Sequence, residues 1–584
     1  MNKVMKKKIV IFLSMLLAAV NFAGLGFGIN VKAAEVNYEY KGYETYLYIE
    51  GDDVEITKYN LEDGSVSDTI SPEEIYSWGR VSALLVYTSV MQLYEQEKID
   101  LDASIMEYMP DYFKQNVKFS SDFTVRQLLN HQAGFQDVYY YKYTNNPADL
   151  MDLETFIVNC VPDQIYMPGT TVAYSDYGVC LLAYMVENVS DMNFDTYART
   201  FIFDELGMSN TSARANHGDN QYIADLYTNS KYYSYQSEYG MPYYSTMYPA
   251  LSVVGTMQDM AVFGNALVNG DLFEKEATKE EFFTPGVFYL DGETPRIASG
   301  MAVFKYGDNN EIYGTVGTGI VSRSGMLLNV KDKSVICMAS NQYAVNDYWN
   351  EYVTGKYGEM SEPVTDYPQG ISGRYVRSIT VTSGKLSFLG LLDTFRIDPA
   401  QGKPVSFLAN NDLYCVDGIQ GKTYTEGDNT SMQFAYYDIL PYSSAMFTFK
   451  IAVLILMGLA YIYAMISLPI GAFIFLKRKF SGDGSKTPIF RKYFYIQSAV
   501  IFFYFMFFLS MCSSAMSSGS PTFTTVVSFT YYLGIVASFV YLVFLIKTGR
   551  KEECSVFEKG NYYVNAVNAV IVIIFTIIYK LFLF

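Results

Sequence analysis

Four long apolar stretches at the end of the chain constrain it more than any other feature. They run about Ile451–Leu476, Tyr493–Met516, Thr524–Ile546 and Tyr562–Leu583, each close to the ~20 residues with which a helix crosses a bilayer. The loop 477–492 holds Lys477, Arg478, Lys479, Lys486, Arg491 and Lys492, and the next basic loop holds Lys547, Arg550, Lys551 and Lys559. Positive loops stay in the cytoplasm, so the first span enters from outside and everything before it is extracytoplasmic. The start of the chain agrees. MNKVMKKK and the apolar run Ile9–Gly28, followed by Val31, Ala33 and Ala34, read as a secretory signal over residues 1–33, with an uncleaved anchor as the alternative.

Charge divides the chain in the same way. Lys+Arg 42 against Asp+Glu 60 gives −18 over 584 residues, yet both ends are basic, and residues 34–446 carry a net −31. A polyanion of that density repels phosphates, which excludes nucleic acid as a partner. Two histidines and six scattered cysteines without a CxxC pair leave no material for a zinc site, and no cofactor is expected. Cys160, Cys180, Cys337 and Cys415 each lie in an apolar run and are expected as buried free thiols.

Residues 355–371 (GKYGEMSEPVTDYPQGI) have the composition of a linker between an outer domain, 34–354, and a second one, 372–445. Short β-type runs at Tyr375–Val381, Leu386–Ile397, Tyr414–Val416 and Met432–Tyr437 make the second a small antiparallel β domain. It is expected just above the membrane, followed by four helices within 446–584.

Several stretches carry a family resemblance: VMQLYEQEKIDLDASIMEYMP (90–110), TVRQLLNHQAGF (124–135), MPGTTVAYSDYGVCLLAYMVENVSDM (167–192), FIFDELGMSNTS (201–212) and YPALSVVGTMQDMAVFGNALVNGD (248–271). In order and spacing they resemble the serine β-lactamase-related family, which includes class C β-lactamases, low-molecular-weight penicillin-binding proteins and esterases. The resemblance implies an α+β fold, an antiparallel sheet flanked by helices, in a membrane-anchored member. It also implies a serine nucleophile with a lysine three residues on, one helical turn away, so that the amine assists removal of the hydroxyl proton. A Tyr-x-Asn motif and a later strand bearing His or Lys before a small residue and Gly complete the family's site.

Placed against this sequence, the nucleophile position falls on Arg80 and the lysine position on Ala83, with the register fixed by Val90-Met91-Gln92-Leu93. Arg offers no nucleophilic atom and no base. No serine in the chain has a lysine three residues later. The second motif is Tyr174-Ser175-Asp176, with Asp where Asn belongs. The third is Tyr313-Gly314-Thr315-Val316-Gly317, with Thr315 where His or Lys belongs. Arg80, Tyr174, Asp176, Thr315 and Gly317 are therefore expected to line a degenerate pocket. An ion pair between Arg80 and Asp176 is expected across it, with Ala83 leaving room for the guanidinium.

His131, at a family position that is normally structural, is expected in a core or turn role, and His217 in a polar loop at the surface. Ser82, two positions from Arg80, should face elsewhere, and Ser77 has no Lys or His placed to activate it. Gly314, Gly317 and Gly319 read as a strand edge beside the pocket rather than a phosphate loop. The 54 tyrosines cluster at Tyr139–Tyr143 and through Tyr227–Tyr248. They read either as a contact surface for polypeptide or glycan or as a compositional habit. The reading that results is a multi-pass protein of a bacterial cell membrane with an extracytoplasmic, inactive penicillin-binding-protein-like domain. It would bind or sense peptides, cell-wall fragments or β-lactam-like ligands. An active serine hydrolase with an unrecognised nucleophile is the alternative.

Overall fold

A computed structural model describes residues 43–579 apart from 62, 73, 138–142, 145–149, 215–243, 309, 319–322, 341–346, 362–372, 384–386, 399–402, 407–420, 427–428, 482–488, 518–520 and 549–555. The expected signal (1–33), His217, Gly319, Cys415 and most of both tyrosine clusters lie outside the described residues.

Residues 35–381 and 392–442 make one compact unit. Its centre is a nine-stranded antiparallel sheet. The strands in chain order are β1 (Tyr43–Glu50), β2 (Asp53–Asn60), β3 (Val66–Ser67), β4 (Val287–Phe288), β5 (Pro295–Ala298), β6 (Met301–Tyr306), β7 (Asn310–Thr318), β8 (Arg323–Asn329) and β9 (Ser334–Ser340). They lie in the order β3-β2-β1-β9-β8-β7-β6-β5-β4, so the N-terminal hairpin pairs with the last strand, Glu44 opposite Ser340. β8 and β9 are buried along their whole length, as central strands covered on both faces are.

Three long helices accompany the sheet: α1 (Ser82–Glu95), α2 (Asp176–Ser190) and α3 (Met257–Asn269). Thirteen of the fourteen residues of α1 are buried, so it is a core helix covered on nearly every side rather than an amphipathic surface one. Ser175 caps α2 by accepting from Gly178 N at 3.1 Å. Thr256 caps α3 by accepting from Asp259 N at 3.1 Å, and Gly270 ends it at φ +83°, a left-handed position that suits glycine. The expected linker begins later than its composition indicates. Residues 355–357 close helix α4 (Asp347–Tyr357), because Tyr352 stacks on Tyr46 at 4.5 Å and Trp349 is buried, and packing outweighs the helix cost of Gly355.

The second sheet has six antiparallel strands: β10 (Gly373–Arg377), β11 (Phe395–Asp398), β12 (Lys403–Ser406), β13 (Gly421–Glu426), β14 (Asn429–Phe434) and β15 (Tyr437–Tyr442). The small β domain expected over 372–445 is therefore a sheet, but it clusters with the first domain in the same compact unit. Tyr375, Phe395, Phe434 and Ile439 share the hydrophobic core of the first domain, and polar contacts add to it. Arg296 of β5 and Asp438 of β15 form a buried ion pair at 2.6 Å, and Ala173 forms a β-bridge with Tyr437.

The other unit holds the C-terminal helices α5 (Ser444–Phe480), α6 (Ile489–Ser517), α7 (Pro521–Thr548) and α8 (Val556–Ile578). Three described stretches are long and apolar enough to cross a membrane: Ser444–Ile474, Arg491–Leu509 and Glu558–Ile578. They coincide with three of the four expected spans. The described apolar part of α7, Tyr531–Lys547, falls in the shorter class of 10–17 residues. Polar contacts join these helices, including Gln497 to Ser538 at 2.9 Å and Asn565 Nδ2 to the Phe494 carbonyl at 3.0 Å, the type of bond that holds helices together in lipid.

Candidate functional site

The candidate site begins at a turn. Gly79, at φ +44°, brings the backbone so close to β8 that a Cβ there would lie 2.8 Å from Ser324 Oγ, which itself donates to the Trp78 carbonyl at 2.6 Å. Arg80 is the middle residue of the 3₁₀ turn Gly79–Val81 that leads into α1. Its stem lies on β7, where a Cβ on Gly317 would stand 2.3 Å from Arg80 Cδ and 2.9 Å from its Cβ. Its guanidinium carbon sits 4.2 Å from the centre of the Tyr174 ring, a cation–π contact. Ala83, on α1, is buried and brings no polar atom.

That geometry gives a test of its own. Gly317→Ala should displace Arg80 and lower stability by about 1–3 kcal/mol, the usual cost of overpacking. Adding Arg80→Ala, which removes Cγ and Cδ but keeps Cβ, should recover part of the loss. Additive losses in a double-mutant cycle would show that the two residues do not share this space.

Tyr174 and Asp176 are both buried, with Asp176 the first residue of α2. The Tyr174 hydroxyl has no hydrogen-bond partner among the described residues. Burial pushes that phenol well above its ordinary value; Asp176 raises it further and Arg80 opposes the rise. The same two charges act with the same opposite signs on Tyr87. Thr315 is buried on β7, beside the phenol of Tyr436. The structure therefore brings Arg80, Tyr174, Thr315 and Gly317 to one place and sets Asp176 within electrostatic reach of it.

His131 lies in the same place, in the structural role its motif implies. Thr124 and Gln127 form a capping box at the start of a short helix, Val125–Leu129. The chain leaves that helix through His131 at φ 58°, with Gln132 N bonded to the Gln127 carbonyl at 2.7 Å. This turn directs the imidazole inward, 4.7 Å from the Tyr174 ring. Its Nε2 is 3.1 Å from the Gly300 carbonyl and 3.4 Å from the Tyr87 hydroxyl. A carbonyl only accepts, so Nε2 carries the proton and cannot serve as a base for Tyr87. Burial, reinforced by Arg80, lowers the His131 pKa to about 4.

Both serines beside position 80 accept backbone N–H groups. Ser82 Oγ accepts from Val253 N at 3.1 Å and Ser77 Oγ from Gly79 N at 3.4 Å. Cys160, Cys180 and Cys337 are buried free thiols, as expected.

Residues 23–352, more than half the chain, match the family described as Beta-lactamase. The chain belongs to that family. Its antiparallel sheet with flanking helices is the β-lactamase/transpeptidase fold, and the family is one of serine hydrolases. Penicillin-binding protein 4* of Bacillus subtilis (strain 168) is 24% identical over 241 residues, which cover 38% of this chain and 51% of that protein. A putative D-alanyl-D-alanine carboxypeptidase of Salmonella agona (strain SL483) is 25% identical over 130 residues, 21% of this chain and 30% of that one. Among solved structures, the octameric penicillin-binding protein homologue from Pyrococcus abyssi aligns with 16% identity and a TM-score of 0.44, over 68% of this chain and 95% of that one. The chain spans about half the length, or less, of these curated relatives.

The residue that sequence reasoning missed is Tyr436. It is buried at the candidate site, its ring 5.6 Å from Tyr174 and 6.0 Å from His131. It lies within the run Met432–Tyr437 expected as a strand, but the structure puts it in the turn between β14 and β15, and nothing in that run signals a partner more than 250 residues earlier in the chain.

Proposed function

We propose that this chain is a membrane-anchored, extracytoplasmic member of the family that has lost acyl transfer and uses its groove to bind or sense ligands. The observation that carries this reading is Arg80. At the position where the resemblance puts the nucleophile stands a guanidinium packed on the Tyr174 ring, with its stem on Gly317. It offers no atom to attack an acyl carbon and no amine to activate one. Ala83 and Thr315, at two further reactive positions, supply no base. The reading includes an Arg80–Asp176 pairing across the groove, supported by their opposite electrostatic action on Tyr174 and Tyr87.

The ligands of this reading are short peptides, cell-wall fragments or β-lactam-like compounds. The half-buried Arg80 supplies a cation suited to their carboxylates. The apolar C-terminal helices anchor the protein, and the basic loops put its main domain outside the cytoplasm.

The test is covalent labelling of the full-length protein in membranes with a fluorescent penicillin and a fluorophosphonate. No band above background is expected from either reagent. A label mapped to any serine would overturn the reading and install the active hydrolase in its place.

A further inference from the structure

Within the C-terminal unit, helices α6 and α7 carry an arrangement that anchoring alone does not require. Gln497 Nε2 of α6 donates to Ser538 Oγ of α7 at 2.9 Å, both groups buried, which fixes the register of the two helices. One turn nearer the start of α6, the rings of Tyr493 and Phe544 stack with centroids 3.9 Å apart and planes at 25°. Lys492 directly precedes the first ring. Lys547 follows the second by three residues, a spacing that puts it on the same helix face. Both lysines are exposed, and among the described residues neither forms an ion pair. Arg491 differs from them, because it is paired with Glu558 of α8.

Belond the stacked rings the surface is apolar. Ile496 stands four residues after Lys492, and Val543 and Val540 stand four and seven residues before Lys547; all three are exposed, on the faces that continue from the lysines. Two cations, a pair of stacked rings and then an apolar track match what a phospholipid presents in turn, from phosphate through the interface to the acyl chain. The other end of the same helix pair lacks the first of these, since residues Ser517–Pro521 carry no charge.

We propose that Lys492 and Lys547, flanking the Tyr493–Phe544 stack, form a site for the headgroup of an anionic phospholipid whose phosphate bridges α6 and α7. Each lysine carries its charge on a flexible four-carbon stem, so the two can meet at one phosphate. The site rests on the membrane anchoring of the proposed function and is independent of the lost acyl transfer.

Native mass spectrometry of the full-length protein in detergent tests it, with phosphatidylglycerol and phosphatidylcholine of identical acyl chains as probes. Phosphatidylglycerol should bind on the order of tenfold more tightly, and Lys492→Gln combined with Lys547→Gln should bring the two lipids within about twofold. Lys477→Gln combined with Lys559→Gln, which removes the same charge from α5 and α8, should keep the preference. Equal binding of the two lipids by the wild type would overturn the proposal. So would an equal loss in both double variants, which would assign the preference to general surface charge. Millimolar inorganic phosphate should leave the lipid in place; displacement would show an anion site that does not recognise a lipid. Alkaline carbonate extraction reads the anchoring separately. Wild type and variants should all stay with the membranes, and release of the wild type would remove the anchoring and the lipid site with it.

Discussion

Asp438→Ala is expected to cost about 3–5 kcal/mol, because it leaves a guanidinium buried without its counter-charge. Arg296 Nη2 meets Asp438 Oδ1 at 2.6 Å, with side-chain exposures of 1% and 7%. The arginine also donates to the Phe434 carbonyl, from Nε at 3.0 Å and Nη2 at 2.6 Å. The carboxylate accepts from Val172 N through its other oxygen. Burial raises the Asp438 pKa and Arg296 opposes the rise; a buried ion pair of this kind is not by itself a large source of stability, because desolvation offsets the attraction. The damage should come from breaking it. The double change Arg296→Met with Asp438→Leu should therefore lose far less than Asp438→Ala alone. Both tryptophans, Trp78 and Trp349, are buried in the unit that holds the candidate site. Urea unfolding followed by tryptophan fluorescence on the full-length protein therefore reads this unit. A loss below about 1 kcal/mol in Asp438→Ala would show that water or rearranged donors replace the carboxylate.

What could be read from the sequence was local. The helix carrying Ser82 and Ala83, the capped helix that follows Tyr174-Ser175 and the turn through His131 are each specified within about a dozen residues. Capping, helix-stop and apolar patterns act at that range. The second sheet was legible only in part: the runs Tyr375–Val381 and Met432–Tyr437 overlap β10, β14 and β15, whereas Leu386–Ile397 holds a helix over Ser387–Leu392 before β11, and Tyr414–Val416 lies outside the described residues. What joins it to the first was not legible. Tyr436 meets Tyr174, and Asp438 meets Arg296, through contacts spanning more than 130 residues, and no local propensity records a partner so distant. A composition rich in glycine and acid marked 355–371 as a linker, yet Trp349 and Tyr352 pull its first residues into a helix.

His131 ties this packing to pH. Its imidazole is neutral in the folded protein down to about 4, whereas in the unfolded chain it takes a proton near its ordinary 6.5. Between those values the unfolded state binds the extra proton, so stability is complete above about 6.5 and is lost as pH falls toward 4. At 1.36 kcal/mol per pKa unit the total loss is about 3 kcal/mol. Carboxyls whose pKa burial raises, Glu187, Asp259 and Asp438, work in the other direction, favouring the folded state as they protonate. The wild-type curve alone would therefore mix the two effects. His131→Asn separates them, because Asn accepts the left-handed conformation at φ 58° and has no proton to gain. Urea unfolding followed by the same tryptophans should give a wild-type stability that declines relative to His131→Asn between pH 6.5 and 4, and a constant difference above that range. A constant difference throughout would mean that the imidazole titrates normally, reached by water. The close packing of Tyr87, Tyr174 and Tyr436 around His131 would then not describe the candidate site in solution.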